Sequence, residues 1–296
     1  MRIALATVTI LITTTLTAQA QPPAPRTRTR PRAALNPAHE KMKIQADQAY
    51  QKGDFQRSVE LTSVVLSQNP TDHVAYYLRA SANVELGQTN GNAAVVRRGI
   101  TDAREALRIS DTRDADYYLP YLYGMTILAR MENKKEHAKI VVSVATPIIG
   151  RPTLTDEEKA NLLYQRAMGQ VVLEEFEKAA TDFQTATKLV PSHLGAFVAL
   201  ADSYVAAGKT ELAVNAFANA VKAFPSDPLV HNNQGSHFQQ QGKNQEAIAA
   251  FTRALELDVN YFVAYTNRGF ALMESGQLEA AESDFSASLK VNPQQP

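Results

Sequence analysis

Six histidines and thirty acidic side chains are the residues of this 296-residue chain that could hold a metal or move a proton. Their spacing assembles no such centre. His231 and His237 are six apart, so on one helix they point to different faces. His39-Glu40 lacks the second histidine, four residues on, that a zinc-protease helix requires. No GxxxxGK or GxGxxG run is present to cradle a phosphate. The chain has no cysteine, which excludes disulfides, thiolate metal sites and thiol nucleophiles. No nucleophile stands with a base and an orienting group. The expectation is a protein that is not an enzyme and needs no cofactor or metal.

The elements that would have to position a site are far more legible. Four windows of thirty-four residues run end to end: 160–193, 194–227, 228–261 and 262–295. Phe183, Phe217, Phe251 and Phe285 recur at one place in them, and Ala179, Ala213, Ala247 and Ala281 at another. Ala167, Ala201, Gly235 and Gly269 hold a third, small position; Ala186, Ala220, Ala254 and Ser288 hold a fourth. Gly208, Gly242 and Gly276 mark an internal turn, and Pro191, Pro225 and Pro293 close three windows. Small residues allow two helices to cross closely, and a ring fills the space beside them. Each window is therefore a helix, a short turn and a second helix. One such pair cannot bury its own apolar face, so neighbours must stack.

The period extends upstream in weaker form. Residues 39–72 keep Ala46, Gly53 and Pro70. The next window keeps Ala80 and Gly87, then carries an insertion, Gln88 to Asn92, before a helix around Ala103 and Ala106. A third, about 113–150, crowds Tyr117, Tyr118, Tyr121 and Tyr123 into its first helix, with Gly124 at the small position and Pro120 near the helix start. Residues 151–159 are a joint, where Thr155 and Glu158 read as a capping box. The total is seven helix pairs; the alternative for the three divergent ones is a plain helical bundle.

These small, aromatic and proline positions resemble the tetratricopeptide repeat. The resemblance implies an all-α fold, a right-handed solenoid of about seven helix pairs. It implies a concave groove, lined by the first helix of each pair, that binds other polypeptides. Groove positions carried over from the family fall on Tyr77, Tyr118, Tyr121, Met125, Tyr164, Gln165, Asp202, Asn232, Asn233, Asn267 and Phe270. Lys43, Asp47 and Tyr50 open the list in the first pair. Asn can bridge to a peptide backbone as donor and acceptor, and Tyr buries a large ring at modest entropy cost. The tyrosines could equally be core filler. A lysine–asparagine–arginine clamp for a C-terminal carboxylate is incomplete, because only Asn233 and Asn267 are in place. The last pair carries Glu282 where Val214 and Ile248 stand earlier, a wetter face suited to ending a stack.

The first forty residues divide from the rest. Arg2, an uncharged stretch from Ile3 to Ala18 and the small-x-small run Ala18-Gln19-Ala20 predict a secretion signal at 1–20, cut after Ala20. Residues 21–38 hold five prolines and Arg26, Arg28, Arg30 and Arg32 without an acid. They predict a disordered leader, either a solvated spacer or a weak tether to a polyanion or membrane surface. Divergent repeats then occupy 39–150 and regular ones 160–296. Thirty basic residues balance thirty acidic ones. Without Arg2 and the four leader arginines, twenty-five remain against thirty, a net of −5 that argues against nucleic acid. The expected function is an exported, periplasmic scaffold that binds a polypeptide in envelope assembly. The alternatives are a small-ligand or glycan-binding module, in which Tyr118, Tyr121 and Tyr164 close a pocket, and an accessory subunit of an envelope enzyme.

Overall fold

A computed structural model describes residues 36–110 and 114–293. The expected signal, most of the leader and its four arginines lie outside the described residues. Among those residues the chain forms fourteen α-helices and no strand. They are α1 (Pro37–Gln51), α2 (Phe55–Gln68), α3 (His73–Thr89), α4 (Ala93–Ile109), α5 (Leu119–Met131), α6 (Lys135–Ile149), α7 (Asp156–Val172), α8 (Phe176–Leu189), α9 (Leu194–Ala206), α10 (Thr210–Ala223), α11 (Pro228–Gln240), α12 (Asn244–Leu257), α13 (Phe262–Glu274) and α14 (Leu278–Val291). A short 3-10 helix, Ala115–Tyr118, leads into α5. The helices pair in chain order, giving seven helix pairs. The described residues divide into two compact units, one up to residue 190 and one from residue 191.

Within the first unit each helix packs on its sequence neighbour, and α1, α3, α5 and α7 also contact one another in turn. First helices thus lie side by side in one layer. The second unit repeats this, with α11 against α13.

Turn geometry fixes the register. Gly53, Gly91, Gly208, Gly242 and Gly276 have φ between 62° and 78°, and Asn133 and Glu174 stand in the same left-handed region. In every pair the residue five places after this turn is buried: Ser58, Val96, Ala138, Ala179, Ala213, Ala247 and Ala281. Gly235 shows why the small position is small. A Cβ there would come within 2.7 Å of the Phe251 ring, and one at Gly269 within 2.7 Å of the Phe285 ring. The recurring phenyl lies directly on the recurring small residue, which is how a pair closes without a void.

Several local expectations hold. Thr155 and Glu158 form the capping box of α7: the Thr155 hydroxyl accepts from the Glu158 N–H at 3.2 Å, and the Glu158 carboxylate accepts from the Thr155 N–H at 2.7 Å. Pro120 lies in the first turn of α5, where its missing N–H is harmless. The first helix opens at Pro37, capped by Asn36, and so takes in the last two residues of the expected leader.

Two expectations fail. The insertion at Gln88–Asn92 is a loop only in part. It lengthens α3 and α4 to 17 residues each, leaving only Asn90, Gly91 and Asn92 between them. Gly87 is therefore not the turn glycine but a buried helical residue, 2.6 Å from the Val96 N–H if it carried a Cβ. In the third pair Gly124 does not hold the crossing position. Measured from the turn at Asn133, that place belongs to Thr126, buried as Ala167 is in the next pair. Gly124 instead admits Ile100 and Val84 of the preceding pair.

Candidate protein-binding face

The register error in the third pair displaces its predicted groove residues. A shift of two residues turns a helix by about 200°, which exchanges groove and core. Met125 is accordingly buried in the core of α3–α7, and Tyr121 is nearly so. The positions they were assigned belong to Tyr123 and Ile127, which are themselves buried. Tyr118 is half-buried, with the Arg151 guanidinium 5.6 Å from its ring; Arg104 lies 5.5 Å from the Tyr121 ring.

The other tyrosines on the expected groove are core as well. Tyr77 is 1% exposed, because the 3-10 helix lays Tyr117 across it with ring centroids 5.4 Å apart. Tyr164 is buried against Phe183 at 5.4 Å. Gln165 is buried too. Tyr118, Tyr121 and Tyr164 each rest on a different neighbour: Arg151, Arg104 and Phe183. For these rings core packing is the observed role.

In the second unit the amides form a ladder rather than an open row. The Asn267 Nδ2 donates to Asn232 Oδ1 at 3.0 Å, tying α13 to α11, and Asn232 Nδ2 lies 3.4 Å from Asn233 Oδ1. Asn233 is 3% exposed, and its Nδ2 is buried without a hydrogen-bond partner among the described residues. The expectation that Asn233 stands free on a groove is thus corrected: it is part of the interior. Asp202, one pair earlier, is half-buried as a residue but its Oδ2 is sealed and unpartnered among the described residues. Burial pushes its carboxyl up to about 7.

Among the first helices of the second unit, the exposed large apolar side chains lie on α13. Phe270 and Met273 are each 45% exposed and three residues apart, so they share a helix face with Asn267 one turn earlier. Phe270 is held edge-on by Phe285 at 5.1 Å, which fixes its direction. Phe270 was legible as a groove position. Met273 was not singled out, although its spacing from Phe270 was the available signal. A rigid ring, a flexible thioether and a half-buried amide on one face suit an apolar side chain flanked by a peptide backbone.

A second set of residues went unnoticed in the sequence. Arg166 donates to Asp182 through Nε and Nη2, both at 2.7 Å, and Arg268 grips Asp284 in the same fork at 2.7 and 2.8 Å. Arg79 does so to Asp102 at 2.9 and 2.8 Å. Each arginine also reaches a hydroxyl on the second helix of the preceding pair: Thr146, Thr252 and Ser63 respectively. The signal was an arginine followed sixteen residues later by aspartate, stretched in the second pair by its longer helices. Of these clasps, Arg268–Asp284 holds α13, the helix that presents the face.

Among the described residues no group of His, Asp or Glu could hold a metal ion, and no helix is long and apolar enough to cross a membrane.

Tetratricopeptide repeat profiles match residues 198–261 and 263–295. No curated protein matches the chain. Among solved structures, the APC/C hetero-tetramer Cut9–Hcn1 is similar at 18% identity and a TM-score of 0.55, covering 86% of this chain and 46% of that one. That likeness is one of fold. MamA from Desulfovibrio magneticus RS-1 (41-end) aligns at 19% identity with a TM-score of 0.42, over 69% of this chain and 96% of that one. YrrB, a TPR protein with an unusual peptide-binding site, aligns at 16% identity and 0.40, over 80% and 95%. The repeat profiles, the thirty-four-residue period and the seven helix pairs agree: the chain is a tetratricopeptide repeat protein, built as a protein-interaction scaffold.

Proposed function

We propose that this scaffold is exported and binds an extended or helical polypeptide segment through the α13 face, with Phe270 and Met273 as its apolar anchors. The single observation that carries the reading is the exposure of these two large side chains on a first helix, beside the Asn232–Asn267 amide bridge. Exposed apolar residues gathered on one rigid face mark interaction sites, and interface energy concentrates in aromatic anchors. Among the described residues no acid–base or nucleophilic centre is assembled that would support an enzymatic role. The export element rests on the apolar N-terminal stretch and its small-x-small site, and envelope assembly is the setting that follows from it.

Both elements have direct tests. Phe270→Ser with Met273→Ser is expected to weaken binding of a partner recovered with the mature protein by about five- to thirtyfold in Kd, on the order of 1–2 kcal/mol. Helical circular dichroism should be unchanged, since both residues are exposed. Unaltered affinity would move the site off α13. For export, intact mass of the protein from the cell envelope should correspond to a chain starting at Gln21; a mass that retains Met1 or Arg2 would refute cleavage after Ala20.

A further inference from the structure

Three successive first helices of the N-terminal unit meet at one buried carboxyl. Glu85 of α3 is 5% exposed. Its Oε1 lies 3.5 Å from the Tyr50 hydroxyl of α1, and its Oε2 lies 3.4 Å from the Tyr123 hydroxyl of α5. Tyr123 also reaches Gln88 Oε1, one turn along α3, at 2.9 Å. The three contacts join pairs one, two and three.

The hydrogens decide the state of this cluster. With Glu85 ionised, Tyr50 and Tyr123 supply two hydroxyl hydrogens for three contacts, because a carboxylate and an amide oxygen only accept. Tyr123 must then choose between Glu85 and Gln88. With Glu85 protonated there are three hydrogens for three contacts. Tyr50 donates to Glu85 Oε1, Glu85 Oε2–H donates to the Tyr123 oxygen, and Tyr123 donates to Gln88. With Gln88 presenting its Oε1 to Tyr123, only the protonated form fills every contact in a buried site, where an unmade bond is costly.

We propose that Glu85 is a proton-operated brace: it takes up a proton in the folded chain and so locks α1, α3 and α5 together through Tyr50, Tyr123 and Gln88. No docking partner is needed for this device, and it stands independently of the α13 face.

The surroundings favour the neutral form. Burial pushes the Glu85 carboxyl up to about 7, against a smaller downward pull from the two tyrosine hydroxyls. The groups that face the cluster are Tyr50 from α1, Tyr77 from α3, Tyr123 and Arg130 from α5, and Tyr164 from α7. The tyrosines are neutral, with Tyr50, Tyr77 and Tyr123 all pushed upward by burial. Arg130 acts on Tyr123 and Tyr164. Among the described residues no charged group of α2 or α4 bears on Glu85. Its folded pKa lies above the ordinary 4.5, so folding takes up a proton. The stabilisation is complete below about pH 4.5 and is lost as pH rises through about 7.

Glu85→Gln tests this, because an amide keeps the shape, accepts from Tyr50 and donates to Tyr123 at every pH. Thermal unfolding of the whole chain would be followed from pH 5 to pH 8.5, with Asp202 present in both proteins as a common background. The expected result is that wild type and E85Q melt together near pH 5 and that E85Q melts higher above pH 7.5. A difference that does not change with pH would overturn the proposal, as would E85Q melting lower at pH 8, the mark of an ionised Glu85 held by its partners. Should E85Q fail to fold, the carbon-13 resonance of the Glu85 carboxyl in wild type decides. A midpoint near 7 supports the brace, and one at or below 4.5 overturns it.

Discussion

Phe251→Ala is expected to destabilise the C-terminal unit by about 3–5 kcal/mol, read as a fall in the urea midpoint or in Tm. The ring is fully buried. It lies on Gly235, whose missing Cβ leaves it room, in a core with Ala247 and Ala271. Alanine would open a cavity that no neighbour can fill: the facing residue is a glycine on a helix backbone, unable to lean in. Phe217→Ala falls in the same class, with His237 against its ring at 4.9 Å. Phe285 is half-buried, so its truncation should cost clearly less. A loss below about 1 kcal/mol at Phe251 would contradict the register in which ring and small residue face each other.

That register was legible because it repeats. Four copies at one spacing make the small, aromatic and turn positions unmistakable even where one copy deviates. The same logic misplaced the third pair. Gly124 was the obvious small residue, but the turn belongs to Asn133, which holds a left-handed φ of 52° without being glycine. Asn tolerates that region, so the signal was chemically present but not distinctive. Glu174 is harder still, since nothing in its side chain favours a φ of 63°. In the second pair the turn glycine was visible as Gly91, yet Gly87 lay at the expected distance and took its place in the count. Lengthening each helix by about a turn keeps the same face inward, which is why an insertion there leaves the stack intact.

The binding face was less legible than the fold for a physical reason. Position within a repeat says which way a side chain points, not whether another element covers it. Tyr77 points to the groove side and is sealed by Tyr117 from a 3-10 helix that the period does not encode. Asn232 reads as a free amide, but an amide satisfied by its neighbour packs as well as an apolar residue, and Asn232 meets Asn267 across pairs, while Asn233 is simply enclosed. Phe270 stayed open because α14 supports its edge and leaves its outer side exposed.

The arginine–aspartate clasps carry the other large effect. Asp182→Ala is expected to destabilise the N-terminal unit by about 2–3 kcal/mol. It strands Arg166, which is left with a hydroxyl contact to Thr146 at 3.3 Å. Removing one partner of a fully buried pair costs about 3–5 kcal/mol, and the smaller figure follows because a fifth of the Arg166 side chain still meets water. The chain itself contains the compensating change. Where the fourth pair has Arg166 and Asp182, the fifth has Leu200 and Ala216, and the third has Met125 and Val141. The sixth, with Gln234 and Ala250, and the first, with Gln45 and Leu61, also lack both charges. The two positions change together, charged with charged and uncharged with uncharged, because an ion without its partner cannot be kept in the crease between two helices. Arg166→Leu combined with Asp182→Ala should therefore recover most of the loss seen with Asp182→Ala alone. Urea unfolding of wild type, both single variants and the double variant gives the coupling directly. Additive losses in that cycle would mean that the fork at 2.7 Å contributes nothing beyond its two side chains taken separately.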